Sequence, residues 1–224
     1  MLSLSVAEIA LATGGDIFNE PASELVIDSV CTDSRNVNMN SLFIALQGAS
    51  FDAHAFIDDV ESRAALLLVH RKVNTGLPYI LVKDTRIALG LLGAYVRDKI
   101  EGLKCAAITG SNGKTTTKEL LSQILRQHDP AKDAVLATAG NFNNDIGLPL
   151  TLLRLSQSNH FAVVELGANH PGEIAYTAKL AKPDVALINN VMPAHLEGFG
   201  IACRGCKSQG RNLAKFICTR YCCT

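Results

Sequence analysis

The pattern of apolar positions changes rhythm near residue 104. Before it, short apolar runs at 25–30, 41–46, 65–69 and 79–82 are separated by turn-forming residues, which predicts strands of a small mixed α/β domain. Ahead of these runs, Ser5-Val6-Ala7-Glu8 has the form of a capping box, with Leu4 and Ile9 placed as a hydrophobic staple. The helix that it starts should stop at Gly14-Gly15. Asp84 or Thr85 can cap a further helix, because Ile87, Leu91, Leu92, Tyr95 and Val96 recur at helical spacing. We expect that helix, within 84–103, to link two domains.

From Lys104 onward the chain alternates strand, loop and helix. Strands are predicted at 105–109, 135–138, 161–166 and 184–190, and helices at 114–127, 148–155 and 173–181. Strands that are apolar throughout, interleaved with helices, predict a parallel sheet covered on both faces. Ligands bind such sheets at the C-terminal ends of the strands. The polar clusters of this half all fall there.

Composition narrows the class. With 48% hydrophobic and 19% charged residues, the 224-residue chain is globular. It has no apolar run of the roughly 18 residues a membrane span needs and no signal-peptide pattern, so a cytoplasmic protein without membrane insertion is expected. The net charge of zero is unevenly spread. Residues 201–224 carry five basic side chains and no acidic one, which leaves 16 basic against 21 acidic residues in 1–200. An acidic body argues against nucleic-acid binding. Cysteine is skewed likewise: Cys31 and Cys105 precede residue 200, while Cys203, Cys206, Cys218, Cys222 and Cys223 follow it.

The strongest candidate chemistry is the loop Gly110-Ser111-Asn112-Gly113-Lys114-Thr115-Thr116 between a strand and a helix. Glycines let backbone N–H groups converge on phosphate oxygens, and the helix N-terminus adds positive partial charge. In such a loop Lys114 would reach the β- and γ-phosphates, and the Thr115 hydroxyl would bind Mg²⁺. A strict Walker pattern would have glycine where Ile108 stands. Glu165, at the end of a strand, suits a hard cation beside that loop. His195 is either a metal ligand or an exposed loop histidine. Asn141, Asn143 and Asn144 are turn formers or ligand contacts, and their position alone does not decide between the two. Asp33-Ser34-Arg35 is a surface turn or a grip for a diphosphate.

Several segments together resemble the Mur ligase family, which builds the peptide of bacterial cell-wall (peptidoglycan) precursors. The loop from Thr109 to Thr117 is similar to that family's ATP loop, which also lacks the first Walker glycine. Three further segments resemble the D-alanyl-D-alanine-adding branch: Asn141-Phe142-Asn143-Asn144-Asp145-Ile146-Gly147-Leu148-Pro149-Leu150-Thr151, Glu165-Leu166-Gly167-Ala168-Asn169-His170-Pro171-Gly172-Glu173-Ile174, and Pro193-Ala194-His195-Leu196-Glu197-Gly198-Phe199-Gly200. Asp33-Ser34-Arg35 and Phe51-Asp52-Ala53-His54 resemble the family's UDP-sugar domain, with Ala53 in place of an expected glycine.

The resemblance implies a UDP-sugar-binding α/β domain over 1–83, a linker helix over 84–103, and part of a parallel-sheet P-loop ATPase domain over 104–200. It assigns Lys114 to the ATP phosphates, Thr115 and Glu165 to one Mg²⁺, His195 to a second, Asn141 to the nucleotide, and Ser34 and Arg35 to the UDP-sugar. The implied reaction joins D-alanyl-D-alanine to UDP-N-acetylmuramoyl-tripeptide in an ATP-dependent, monomeric ligase. ATP phosphorylates the peptide carboxylate, and the dipeptide amine attacks the acyl phosphate.

The resemblance stops at Gly200. The family continues to Ala-Lys-Gly-Glu-Ile, whose lysine is carbamylated, whereas this chain reads Gly205-Cys206-Lys207-Ser208-Gln209-Gly210-Arg211-Asn212. A one-frame slip in plausible codons converts 206–212 into Val-Lys-Ala-Lys-Gly-Glu-Ile. Residues from about Ile201 onward are therefore expected to be frameshifted product, and the chain a truncated form that binds UDP-sugar without ligating. A zinc site from the tail cysteines lacks the usual spacing and any histidine. A non-catalytic nucleotide-sugar-binding fragment and another Mur-like amino-acid ligase are the competing functions.

Overall fold

The computed structural model describes residues 1–48, 50–131 and 133–190. It is a mixed α/β structure whose internal contacts divide it into two compact units, meeting in sequence at Tyr95 and Val96. That division falls inside a helix.

In the first unit, Ser5 and Glu8 cap α1 (Val6–Thr13) reciprocally: the Glu8 N–H donates to Ser5 Oγ at 3.3 Å, and the Ser5 N–H to Glu8 Oε2 at 2.9 Å. Gly14 ends the helix at φ 66°. Strand β1 (Leu4–Ser5) pairs antiparallel with β3 (Val26–Ile27). The main sheet runs in the order β2 (Asp16–Phe18), β7 (Tyr79–Leu81), β6 (Leu66–Val69), β5 (Ser41–Ile44), β4 (Ser29–Cys31). Only the β2–β7 pair in it is antiparallel. Every residue of β5 and β6 is buried, as apolar central strands require. On one face Phe43, Leu67 and Tyr79 pack on Ile57 and Val60 of the short α2 (Ile57–Val60).

The structure departs from expectation here in three ways. The run 25–30 is two strands broken at Asp28, because β3 pairs with β1 while β4 joins the main sheet. Strand β2 has no apolar run to announce it. It forms where Gly15 lets the chain close on β7, since a Cβ at Gly15 would stand 2.4 Å from Ile80 Cγ2. The linking helix α3 (Thr85–Asp98), capped by Asp84, buries Leu89, Leu92 and Val96, while Ile87 and Leu91 are exposed. Its buried stripe is thus rotated from the one the spacing suggested.

The second unit holds four parallel strands in the order β11 (Val185–Ile188), β8 (Lys104–Thr109), β10 (Phe161–Glu165), β9 (Val135–Ala137). They are interleaved with α4 (Lys114–His128), α5 (Gly147–Leu152) and α6 (Glu173–Ala181). The predicted rhythm holds throughout, with ends shifted by a few residues. α4 lies on the sheet through Leu121 and Leu125, which pack against Ile108, Val135 and Val163. The connections leaving the adjacent strands β8 and β10 run in opposite directions, one to β9 and the other to β11. A crevice therefore opens at their C-terminal ends, where open α/β sheets bind ligands.

Among the described residues, no helix is long and apolar enough to cross a membrane.

Candidate nucleotide site

The loop 110–113 leaves β8 at that crevice and enters α4. Gly110 and Gly113 have φ of 142° and 75°, a region that favours glycine. Neighbouring chain also excludes a side chain at both. A Cβ on Gly110 would stand 3.0 Å from the Asn190 backbone, and one on Gly113 would stand 2.5 Å from Asn189 Nδ2. Ser111 is buried, whereas Asn112, Gly113, Thr115 and Thr116 are exposed. Lys114 folds back over the loop, its Nζ donating to the Gly110 carbonyl at 2.7 Å.

Register sets Glu165 against Ile108, two residues before Gly110. Glu165 is only 3% exposed and is held on three sides. Thr115 Oγ1 donates to Glu165 Oε2 at 3.0 Å, Asn143 Nδ2 donates to Oε1 at 2.9 Å, and the Glu165 N–H donates to Thr138 Oγ1 at 3.0 Å. Below them Lys118, fully buried in α4, donates to the Thr138 carbonyl at 2.7 Å. A neutral donor on each oxygen of this buried carboxylate, the Thr115 hydroxyl on one and the Asn143 amide on the other, is what keeps such a group tolerable in a low-dielectric interior.

The structure thus brings together Gly110 to Thr115 and Glu165. Asn141 lies in the adjoining turn, exposed, its carbonyl accepting from the Asn143 N–H at 2.7 Å; it is the Asn143 amide that reaches Glu165. Asn144 closes the turn ahead of α5, its Oδ1 accepting from the Ile146 N–H at 3.3 Å and the Gly147 N–H at 2.8 Å. Asn189 and Asn190 also belong to the site and were not singled out from the sequence. Their signal was position, since they follow β11 as the acid ends β10. His195 and the tail cysteines lie outside the described residues.

In the first unit, Asp33, Ser34 and Arg35 line a cavity of about 560 Å³ together with Thr32, Phe43, Phe51, Ala53 and Phe56. Arg35 forks onto Asp33, Nε to Oδ1 at 2.9 Å and Nη2 to Oδ2 at 2.7 Å. The guanidinium and the Arg35 N–H hold the Asp33 carboxyl at about 2. Beside the cavity, Asp52 caps the turn Ala53–Phe56. His54 Nδ1 lies 2.7 Å from Asp52 Oδ1, and the His70 N–H donates to His54 Nε2 at 3.3 Å. The accepting Nε2 places the ring proton on Nδ1, which donates to Asp52. Burial pushes the His54 pKa down, outweighing the bond to Asp52, which raises it. Burial pushes the Asp52 carboxyl up, but bonds from the His54 amide and ring and from Arg71 outweigh it and hold it at about 2. Ala53 is buried in helical backbone without a positive φ, so a glycine is not required there.

A parallel sheet with a glycine-lysine-threonine loop at its switch point, facing a buried acid on the next strand, defines an α/β protein of the P-loop type. More narrowly, residues 108–203 match the family model for the Mur ligase middle domain. The UDP-N-acetylmuramoyl-tripeptide–D-alanyl-D-alanine ligase of Haemophilus influenzae is 49% identical over 202 residues, which are 89% of this chain and 44% of that protein. A crystal structure of MurF from Acinetobacter baumannii superposes with a TM-score of 0.88 at 40% identity, over 93% of this chain and 46% of that one. MurF ligase from Thermotoga maritima in complex with ADP superposes with a TM-score of 0.77 at 34% identity, over 87% of this chain and 44% of that one. The chain therefore spans less than half the length of the relatives it matches.

Proposed function

We propose that this chain is the substrate- and nucleotide-binding part of an ATP-dependent ligase that joins D-alanyl-D-alanine to UDP-N-acetylmuramoyl-tripeptide through an acyl phosphate. The observation that carries the reading is the convergence of Thr115 and Asn143 on buried Glu165, at the mouth of the glycine-lysine-threonine loop. The α4 N–H groups and Lys114 would hold the phosphates and draw charge from the transferring phosphoryl group.

The donor set fits Mg²⁺. The Thr115 hydroxyl and Glu165 carboxylate are hard oxygens 3.0 Å apart. Two neighbouring corners of an octahedron with bonds of about 2.1 Å are separated by about 3 Å. Among the described residues no three His, Cys, Asp or Glu cluster to complete a protein cage, so phosphate and water oxygens would fill the remaining positions. Bound there, Mg²⁺ would neutralise charge on the phosphate oxygens. Asn143 would keep the second oxygen of Glu165 occupied and its carboxylate plane fixed.

In the first unit, the Phe43, Phe51 and Phe56 wall would take a ring, and Ser34 with the Arg35 guanidinium, whose Nε and Nη2 are held by Asp33, would take a diphosphate through its remaining N–H groups. These are the two halves of a uridine-diphosphate sugar. The family match ends at residue 203, next to Ile201, from which we read the chain as out of frame. The DNA sequence past codon 200 tests that point.

Calorimetric titration tests the binding roles. The chain should bind MgADP and the UDP-tripeptide independently, with Lys114→Ala abolishing only the first and Arg35→Ala weakening only the second. Binding of neither ligand by the native chain overturns the proposal. If the frame is restored and D-alanyl-D-alanine-dependent phosphate release still does not appear, the chain's role is that of a binding fragment.

A further inference from the structure

The nucleotide loop is gripped from the side of β11. Asn189 Nδ2 and Asn190 Nδ2 both donate to the Asn112 carbonyl, at 2.8 and 3.0 Å. Asn190 Oδ1 accepts from the Asn112 N–H at 2.9 Å, and the Asn190 carbonyl accepts from the Ser111 N–H at 3.1 Å. These contacts join residues nearly eighty positions apart. They also explain the glycines in a way that phosphate binding alone does not. It is the Asn190 backbone that a Cβ on Gly110 would meet, and the Asn189 amide that a Cβ on Gly113 would meet.

The grip has a directional consequence. Across a trans peptide, a C=O and the following N–H point to opposite sides. Two amide donors that pin the Asn112 carbonyl toward β11 therefore turn the Gly113 N–H to the other side, among the N–H groups that open α4. A neutral amide does this without placing a charge beside Lys114 or an incoming phosphate. An aspartate at either position would lose the donor and repel both the carbonyl and the ligand.

We propose that Asn189 and Asn190 are positioning residues for the nucleotide phosphates, clamping the Asn112 peptide so that the loop is already in its phosphate-binding shape when the ligand arrives. This rests on the nucleotide site proposed above.

The test compares MgADP titrations of the native chain with those of Lys114→Ala, the double variant Asn189→Ala/Asn190→Ala, and the single variants Asn189→Asp and Asn190→Asp. Amide hydrogen exchange and thermal melting accompany each titration. With the three side-chain hydrogen bonds to the Asn112 peptide removed, together with the longer one from Thr117 Oγ1 to Asn189 Oδ1, the double variant should lose about 10- to 100-fold in affinity. Exchange at 112–114 should accelerate while exchange in β8 and β10 stays unchanged. If the double variant fails to fold, the aspartate variants decide through exchange at 112–114 measured without ligand, which repulsion of the nucleotide does not touch: faster exchange there supports the clamp, and native exchange overturns it. Affinities within twofold of the native chain, with Lys114→Ala still abolishing binding, overturn the clamp and leave the site standing. A native chain that takes up no MgADP overturns both.

Discussion

Thr115 Oγ1 lies 3.0 Å from Glu165 Oε2, which ties the first turn of α4 to the end of β10. The pair joins the element that carries the phosphate loop to the element that carries the acid, and both belong to the donor set proposed for Mg²⁺. Glu165→Gln keeps the shape and removes the charge. It should leave the protein folded, since a buried carboxylate is costly and an amide is not. It should also remove the Mg²⁺ dependence of ADP binding. Native protein titrated with ADP in Mg²⁺ and in EDTA should give two different affinities, and the variant should give one. A variant that keeps the native Mg²⁺ dependence would show that the ion is held elsewhere.

Asn143 sets up a sharper contrast. Its Nδ2 donates to Glu165 Oε1 at 2.9 Å, and its Oδ1 lies where a Cβ on Gly167 would come within 2.8 Å, so there is little room to turn away. Asn143→Ala should cost about 1–3 kcal/mol, the worth of a buried acceptor left without its donor. Asn143→Asp should cost at least as much in EDTA, because two carboxylates then face each other. Saturating Mg²⁺ should return part of that loss for the aspartate variant and none of it for the alanine variant. Urea unfolding with and without Mg²⁺ reads both, and equal Mg²⁺ responses in the two variants would refute the arrangement.

The pattern of legibility follows from these contacts. The parallel sheet and its helices are readable because each strand from β8 to β11 is a short apolar run next to a helical repeat. Glu165 and the loop are readable because residue type and strand-end position coincide. Asn143 is half readable, since asparagine in a turn is ordinary turn chemistry until the fold places it beside an acid. Asn189 and Asn190 look like the end of a strand, and only the parallel register of β11 on β8 brings them to Asn112. β2 escapes because its three residues carry no periodicity, and pairing with β7 creates it. The stripe on α3 is misread because Ile87 and Leu91 fit helical spacing as well as Leu89, Leu92 and Val96 do, and spacing alone does not say which stripe is buried.

His54 gives the first unit a pH response. Its pKa is depressed below the ordinary 6.5, because burial disfavours the cation more than Asp52 favours it. A depressed pKa means that the unfolded chain binds the proton more readily than the folded one. Stability is therefore full above pH 6.5 and falls as pH drops below it, through the folded value. A second loss should begin near pH 3.8 and continue toward 2, where Asp33 and Asp52 take up protons. Urea midpoints measured from pH 8 to 2 should show two steps. His54→Asn, which keeps a donor toward Asp52 but does not titrate, should flatten the upper step and leave the lower one. An upper step that persists in the variant would assign it to another group.

Lys118 poses the opposite problem, a cation under the site. Its side chain is 2% exposed, and its Nζ bonds to the Thr138 carbonyl at 2.7 Å and to the exposed Glu119 at 2.7 Å. Lys118→Met keeps most of the volume and removes the charge, so two effects compete. Losing the desolvated ammonium is favourable, but the Thr138 carbonyl, on a residue 1% exposed, loses its side-chain donor. The carbonyl should decide the sign, because Glu119 and Thr138 already compensate part of the lysine's burial. We expect a loss of about 1–2 kcal/mol for the methionine variant. Lys118→Ala should lose more, about 2–4 kcal/mol, since an unfilled space is added beneath the sheet. Because the Thr138 hydroxyl accepts the Glu165 N–H, both variants should also weaken MgADP binding, and by similar factors despite their different stabilities. A methionine variant as stable as the native protein, with native MgADP affinity, would mean that Lys118 only fills space beneath the sheet.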